Sequence, residues 1–397
     1  MQKSPITRCA IAALCFGMLA ATACQDNVTA PAAPSLDAAR SDGNPSHPFT
    51  VYTQNMYLGG DSGPLFTLDF TDLGAILAAT GPFWAAVQAS DFPGRAAKFV
   101  DHIQETRPDV VTFQEAIRFV LLDGSFAPVG GADLLAAVQA EITRRGLPYE
   151  VAVLQEETSS TLPLTFDPST GTISRWLNFT DRTVILKRSD VKVIASAHGL
   201  YATHLSLGPV ELVRGWAMIT IDRDGTPYHF FATHLETPPA TPIQDAQALE
   251  LNVLLAGLDG VTILAGDLNS DAVAAPGTPT WTATYGNLVA DGFTDAWLAS
   301  PHRRGASSVT CCQAANLLGP SQLDQRIDFV LVRSALASGD DHELPIGIFK
   351  SELVGDQPSD RTGGGLWPSD HAGLVATIAI PASRREHGKR LEMVAAH

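Results

Sequence analysis

Apolar stretches along this chain end, again and again, in a single polar residue. Phe49-Thr50-Val51-Tyr52-Thr53 alternates as a half-buried strand does, and it runs out at Asn55. Beyond Pro93-Gly94, the residues Ala96, Phe99, Val100 and Ile103 fall at helical spacing, and Pro108 closes that helix. Val110 to Phe113 is a continuous apolar run that reads as a buried strand, followed at once by Glu115. A second amphipathic helix fits Leu134, Leu135, Val138 and Ile142 and stops at Gly146, before a strand near Tyr149 to Leu154.

The second half repeats the pattern with less helix. Arg182 to Lys187, Trp216 to Ile221 and Tyr228 to Thr233 read as consecutive strands, the last two joined through a turn at Asp224-Gly225, so antiparallel pairing is expected. A helix over Ile243 to Leu258 leads through Gly260 to the strand Val261 to Ala265, and Ile327 to Val332 and Leu374 to Ile380 complete the set. Mixed sheets packed face to face with helices outside accommodate this order of elements. The polar residues where strands run out are Asn55, Glu115, His234, Asp267 with Asn269, Asp328, and the adjacent Asp370 and His371. Strand ends are where a rigid sheet presents chemistry to a cleft.

Upstream of Phe49 no core is expected. Lys3 and Arg8 precede an apolar run from Cys9 to Ala23, too short to span a bilayer and ending in small residues, as an export signal does. Residues 1–23 are therefore expected to be cleaved, with Cys24 as a lipid-bearing N-terminus; an ordinary secretory signal cut near Ala23 is the alternative. Residues 24–48 are Ala-, Pro-, Asp- and Ser-rich and read as a tether, 49–381 as one catalytic domain expected to act as a monomer, and 382–397 as a tail. The expected location is outside the cytoplasm, membrane-anchored if Cys24 is acylated and secreted otherwise.

The chain carries 26 basic and 42 acidic residues; cleavage of the leader removes Lys3 and Arg8 and no acid, leaving 26 − 2 = 24 against 42, a net charge of −18. That charge disfavours broad grooves tracking a nucleic-acid backbone, while a local cation could still hold a phosphate. Of the cysteines left after cleavage, Cys311 and Cys312 are adjacent, which suits a loop role as a vicinal disulfide or as two thiols; nothing in their spacing suggests zinc.

Three motifs carry a resemblance: Arg107-Pro108-Asp109-Val110-Val111-Thr112-Phe113-Gln114-Glu115, Gly266-Asp267-Leu268-Asn269, and Ser369-Asp370-His371, with Asn55, His234 and Asp328 interleaved in matching order. On these the chain resembles the endonuclease/exonuclease/phosphatase superfamily from Phe49 to Ile380. The resemblance implies an α/β fold, a four-layer sandwich of two mixed β-sheets flanked by helices, and Mg²⁺-dependent hydrolysis of phosphoester bonds, with Mn²⁺ as an alternative ion. It implies Glu115 as principal metal ligand with Asn55 and Asp370 beside the ion, Asp267 as the residue that positions or deprotonates water, and Asn269 and His234 as phosphate-binding groups. Asp328 is the implied carboxylate partner of His371, whose role as base or phosphate ligand stays open.

Elementary chemistry asks for the same residue types. An anionic phosphoester resists attack by water until its oxygens are neutralised and the nucleophile is positioned, and a hard cation prefers carboxylate and amide oxygens. Asp267 and Asn269 are two apart, which in extended backbone aims both side chains at one volume; the plainer reading is an Asx-rich turn. Thr180, Asp181, Arg182, Arg214 and Gln247 are further residues that could contact phosphate or brace the ligands, and His204 duplicates the Thr-His-Leu setting of His234 on a weaker strand. The substrate is left open between nucleic acid, phospholipid or sphingomyelin, and small phosphate esters. The apolar insertion Tyr57 to Ala89 and the loop His302 to Leu323 are the expected discriminators, the former as a lipid-facing segment or a packed helix. A surface lipoprotein that keeps the sandwich without catalysis is the alternative from another functional class.

Overall fold

The computed structural model describes residues 48–223, 226–335 and 346–379. The expected leader, Cys24, nearly all of the tether, the Asp224-Gly225 turn and the C-terminal tail lie outside the described residues.

Strand alternation builds the interior. In Phe49–Asn55, Phe49 and Val51 project to one side and join Val110, Ile263, Ala265, Val330 and Ala376 in a core between two sheets. Tyr52 projects to the other side and packs with Phe99, Phe113 and Val375 beneath helices. Among the described residues the larger sheet is nine-stranded, ordered Arg303–Arg304, Gly347–Val354, Gly373–Ala379, Phe49–Asn55, Val110–Gln114, Thr172–Arg188, Arg118–Asp123, Pro128–Asp133, with Tyr149–Asp167 also paired to Thr172–Arg188. The smaller is six-stranded, ordered Thr294–Asp295, Asp328–Ala335, Gly260–Asp267, Thr226–His234, Gly215–Arg223, Val193–Leu200. Each mixes parallel and antiparallel pairs: Phe49–Asn55 runs parallel to Val110–Gln114, and Thr226–His234 parallel to Gly260–Asp267, amid antiparallel neighbours.

Helices Leu73–Ala89, Phe92–Thr106 and Leu134–Arg145 cover the outer face of the larger sheet. Thr241–Ala256 and Thr284–Ala290 cover that of the smaller, through Leu251, Leu255 and Leu288 on Phe231, Leu264 and Leu331. The expected four-layer α/β sandwich is the fold. Each fully buried Leu, Ile or Phe in these layers contributes about 1.5–3 kcal/mol of transfer free energy.

The insertion after Tyr57 contains a packed helix, while Phe66 and Leu73 within it stay exposed. Its helix Leu73–Ala89 buries Ile76, Phe83, Trp84 and Val87, with the Asp72 carboxylate capping the Ala75 amide. Among the described residues no single helix is long and apolar enough to cross a membrane. Two expected strands are much longer than the runs that announced them: Tyr149–Asp167 and Thr172–Arg188 form one long hairpin, whose distal half alternates Leu162 and Leu164 on one strand and Leu177 and Phe179 on the other with Ser, Thr and Asn.

Candidate active site

The inter-sheet core rows turn polar at one end of the sandwich. Phe49 and Val51 lead to Thr53 and Asn55; Phe230 and Ala232 lead to His234; Ile263 and Ala265 lead to Asp267; and Val332 and Val330 lead back to Asp328. Period-two alternation therefore delivers Asn55, His234, Asp267 and Asp328 into one volume. The register aligns them, since His234 is paired with Asp267 and Asp267 with Asp328 on adjacent strands. Gly266 lies inside its strand rather than at a turn, and a Cβ there would collide with the Thr233 carbonyl oxygen, so glycine allows these two strands their close approach.

Asp267 is the hub. Its Oδ2 accepts from Asn55 Nδ2 at 3.0 Å and lies 3.6 Å from His234 Nε2 and 3.9 Å from His371 Nδ1. Its Oδ1 accepts the Asn269 amide at 2.8 Å. That contact corrects the extended-backbone reading of Asp267 and Asn269. The strand stops at Asp267, Asn269 has φ of 46°, and the pair forms an Asx turn in which Asn269 Nδ2 donates to the Leu235 carbonyl. Burial first, and then the nearby Asp328 carboxylate, push the Asp267 pKa up to about 7, against the opposing pull of His371, Asn269 and Asn55.

Glu115 follows the end of its strand with φ of 52°, a left-handed conformation that costs a non-glycine residue about 1–3 kcal/mol and that clusters at functional sites. Its Oε1 accepts from Asn55 Nδ2 at 3.2 Å and its Oε2 from the Leu58 amide at 2.9 Å, both neutral donors. Loss of water, and then Asp370 and Asp181, push its pKa up to about 8. Asp370 is raised too, chiefly by burial. A divalent cation bound by carboxylate oxygens would relieve this crowding of negative charge, so the donor set fits a hard metal ion.

His371 and Asp328 meet as the resemblance implies, with His371 Nδ1 2.9 Å from Asp328 Oδ2. Burial opposes the charge on the imidazole, but Asp328, Asp370 and Asp267 together outweigh it and raise the His371 pKa well above its usual value. Asp328 Oδ1 is buried with no hydrogen-bond partner among the described residues. His234 behaves oppositely: burial, the Arg214 guanidinium and His371 hold its pKa well below the usual value, so it is neutral. Arg214 Nη1 donates to His234 Nδ1 at 2.9 Å; arginine cannot accept, so Nδ1 is the acceptor and the proton sits on Nε2, facing Asp267.

The accessory residues divide. Arg214 reaches the site through His234 and is itself gripped by Glu236 and Asp181. Arg182 turns away from it, pairing with Asp133 and donating to the Ala116 carbonyl, and Gln247 holds the Glu236 amide and the Thr203 carbonyl; both are braces. His204 is exposed and pairs with Glu211. The loop after His302 closes beneath the site, where Cys311 and Cys312 form a vicinal disulfide and Cys311 makes isolated bridges to Gln325 and His371.

Two supporting contacts are not marked by the strand pattern. Arg95 is fully buried and donates to the Met56, Tyr57 and Pro368 carbonyls, tying the segment after Asn55 to the one before Asp370. The signal for it was an arginine on the apolar face of its helix, one position before Ala96 and a turn before Phe99. Ser369 Oγ donates to the Asn55 carbonyl at 2.8 Å, and no feature of composition announces that contact.

Fold and site together define an α/β sandwich that carries a buried polar cluster at one end of its inter-sheet core. The chain belongs to the Endonuclease/Exonuclease/phosphatase family, whose model matches residues 55–371. Members of that family hydrolyse phosphoester bonds and generally use divalent metals. The fold is similar to that of family proteins from Leptotrichia buccalis (TM-score 0.51, 14% identity, 83% of this chain and 99% of that one) and Bacteroides thetaiotaomicron (0.51, 13%, 85% and 100%). A family protein from Beutenbergia cavernae also matches, with a TM-score of 0.51, 19% identity, and 84% of this chain and 72% of that one covered. At such identities the likeness is one of fold. No curated protein matches the chain in sequence.

Proposed function

We propose that this chain is a Mg²⁺-dependent hydrolase of phosphoester bonds acting by attack of water on phosphorus. The observation that carries the reading is the convergence on Asp267 Oδ2 of Asn55, His234 and His371, which come from distant parts of the sequence. Glu115 and Asp370 would hold the ion, with Asn55 beside it, and a bound Mg²⁺ would neutralise the phosphoryl oxygens and stabilise the leaving oxygen.

The chain's own groups supply the rest. Asp267, fixed by Asn55 and the Asn269 amide, orients water and accepts its proton, and an acceptor titrating near neutrality suits that task. His234 presents a neutral Nε2–H as a donor to the phosphate. His371, with Nδ1 committed to Asp328, presents Nε2 and keeps its positive charge, which favours phosphate binding over service as a base. Hydrolysis in ¹⁸O-labelled water tests the reaction type: the label should appear in the phosphorus-containing product, and label found only in the released alcohol would refute attack at phosphorus.

An exported, Cys24-anchored lipoprotein is the location we propose, from the charged and apolar leader before Cys24. Cys24→Ser should shift the protein from the membrane to the soluble fraction, and persistent membrane fractionation would refute the anchor.

A further inference from the structure

A cavity of about 130 Å³ opens directly off Glu115. Its walls include Leu65, Phe70, Phe83, Phe119, Leu162 and Leu212, while its charged lining residues are Glu115, Asp181 and Arg214. These three belong to the polar cluster: Arg214 lies 3.5 Å from Asp181 and donates to His234, and Asp181 and Arg214 both act electrostatically on Glu115. Thr158, another lining residue, has its hydroxyl engaged with the Val213 carbonyl and amide. Phe66 also lines the cavity yet is 41% exposed, so the opening is apolar as well.

We infer that this cavity receives the hydrocarbon portion of an amphiphilic phosphoester, whose phosphate lies at the Glu115 end. The inference rests on the proposed phosphoester hydrolysis and names its substrate class. Apart from Ser62 and Thr237, the uncharged wall beyond Glu115 is mostly Leu and Phe, so a sugar or nucleobase placed there would leave most of its polar groups unpaired, whereas a hydrocarbon gains by leaving water. Specificity then follows from the layout, with charge at one end for the phosphate and apolar surface at the other for the chain.

The whole chain should be titrated by calorimetry with butyl-, octyl- and dodecylphosphonate, each below its micellar concentration, together with octanol. Affinity is expected to rise roughly threefold per methylene until the cavity is full, and chain-length-independent binding would overturn the inference. Leu212→Trp, which fills the cavity, should lower the ratio of dodecyl to butyl affinity at least tenfold. Phe66→Asp, at an exposed position that spares the fold, should lower it in the same direction, and unchanged ratios in both variants would place the chain elsewhere and overturn the proposal.

Octanol separates the two readings. Octanol binding without phosphonate inhibition of hydrolysis keeps the cavity assignment and removes the catalytic one, whereas phosphonate inhibition without octanol binding or chain-length dependence removes the cavity assignment alone. Turnover of monomeric octyl phosphate but not of phosphatidylcholine vesicles identifies a free amphiphile, and the reverse identifies a membrane lipid. Cleavage of an oligonucleotide with turnover of neither amphiphile overturns the proposal.

Discussion

Arg214 Nη1 donates to His234 Nδ1 at 2.9 Å, and this contact alone fixes which ring nitrogen of His234 carries its proton. In NMR spectra His234 should be neutral and protonated on Nε2, and an Nδ1–H tautomer would contradict the geometry. Arg214→Lys keeps the charge but replaces a fixed planar fork with a flexible point donor, so kcat should fall about ten- to a hundredfold. The tautomer signal should become mixed in the same variant, which a merely structural role for Arg214 would not produce.

Asp328 and His371 act as a pair joined at 2.9 Å. Asp328→Asn and His371→Ala should each lower turnover about 10²–10⁴-fold, and the double variant should cost little more than the worse single one. Additive losses in a double-mutant cycle would mean that Asp328 does something other than hold and charge the imidazole.

Metal-free protein should lose stability as pH rises. Glu115 and Asp267 titrate at about 8 and about 7 when folded, above ordinary carboxylates, so the folded state binds more protons than the unfolded one between those limits. The contribution of these two groups is therefore fully present below about pH 4 and falls as pH climbs toward 8. Thermal melting in EDTA should show Tm declining across this window, and excess Mg²⁺ should flatten the decline. Glu115→Gln should flatten it without metal, and a Tm that rises with pH in EDTA would contradict the assignment.

Much of this arrangement was legible because alternation is a strong signal wherever one strand face is apolar. Phe49 to Thr53 and Val261 to Ala265 marked the rows that end in Asn55 and Asp267, and a motif ending at Glu115 needed only the strand Val110–Gln114 to carry it. Of the two readings of Asp267 and Asn269, the Asx turn holds and the extended one does not, because the strand ends at Asp267 and Asn269 turns left-handed. Pro128–Asp133 was invisible for a different reason: its two glycines and mostly exposed surface give an edge strand with no periodicity. Contacts such as Ser369 to the Asn55 carbonyl link residues at opposite ends of the domain and leave no local trace in sequence.

Glu115 and Asp370 are the residues we propose to hold a divalent ion on which hydrolysis depends. That dependence is tested most directly by the rate of phosphoester turnover in protein stripped with EDTA and then titrated with Mg²⁺. Turnover should vanish on stripping and return saturably with the ion, and Glu115→Gln should need at least about tenfold more Mg²⁺ for the same response. Full turnover in EDTA would contradict the account.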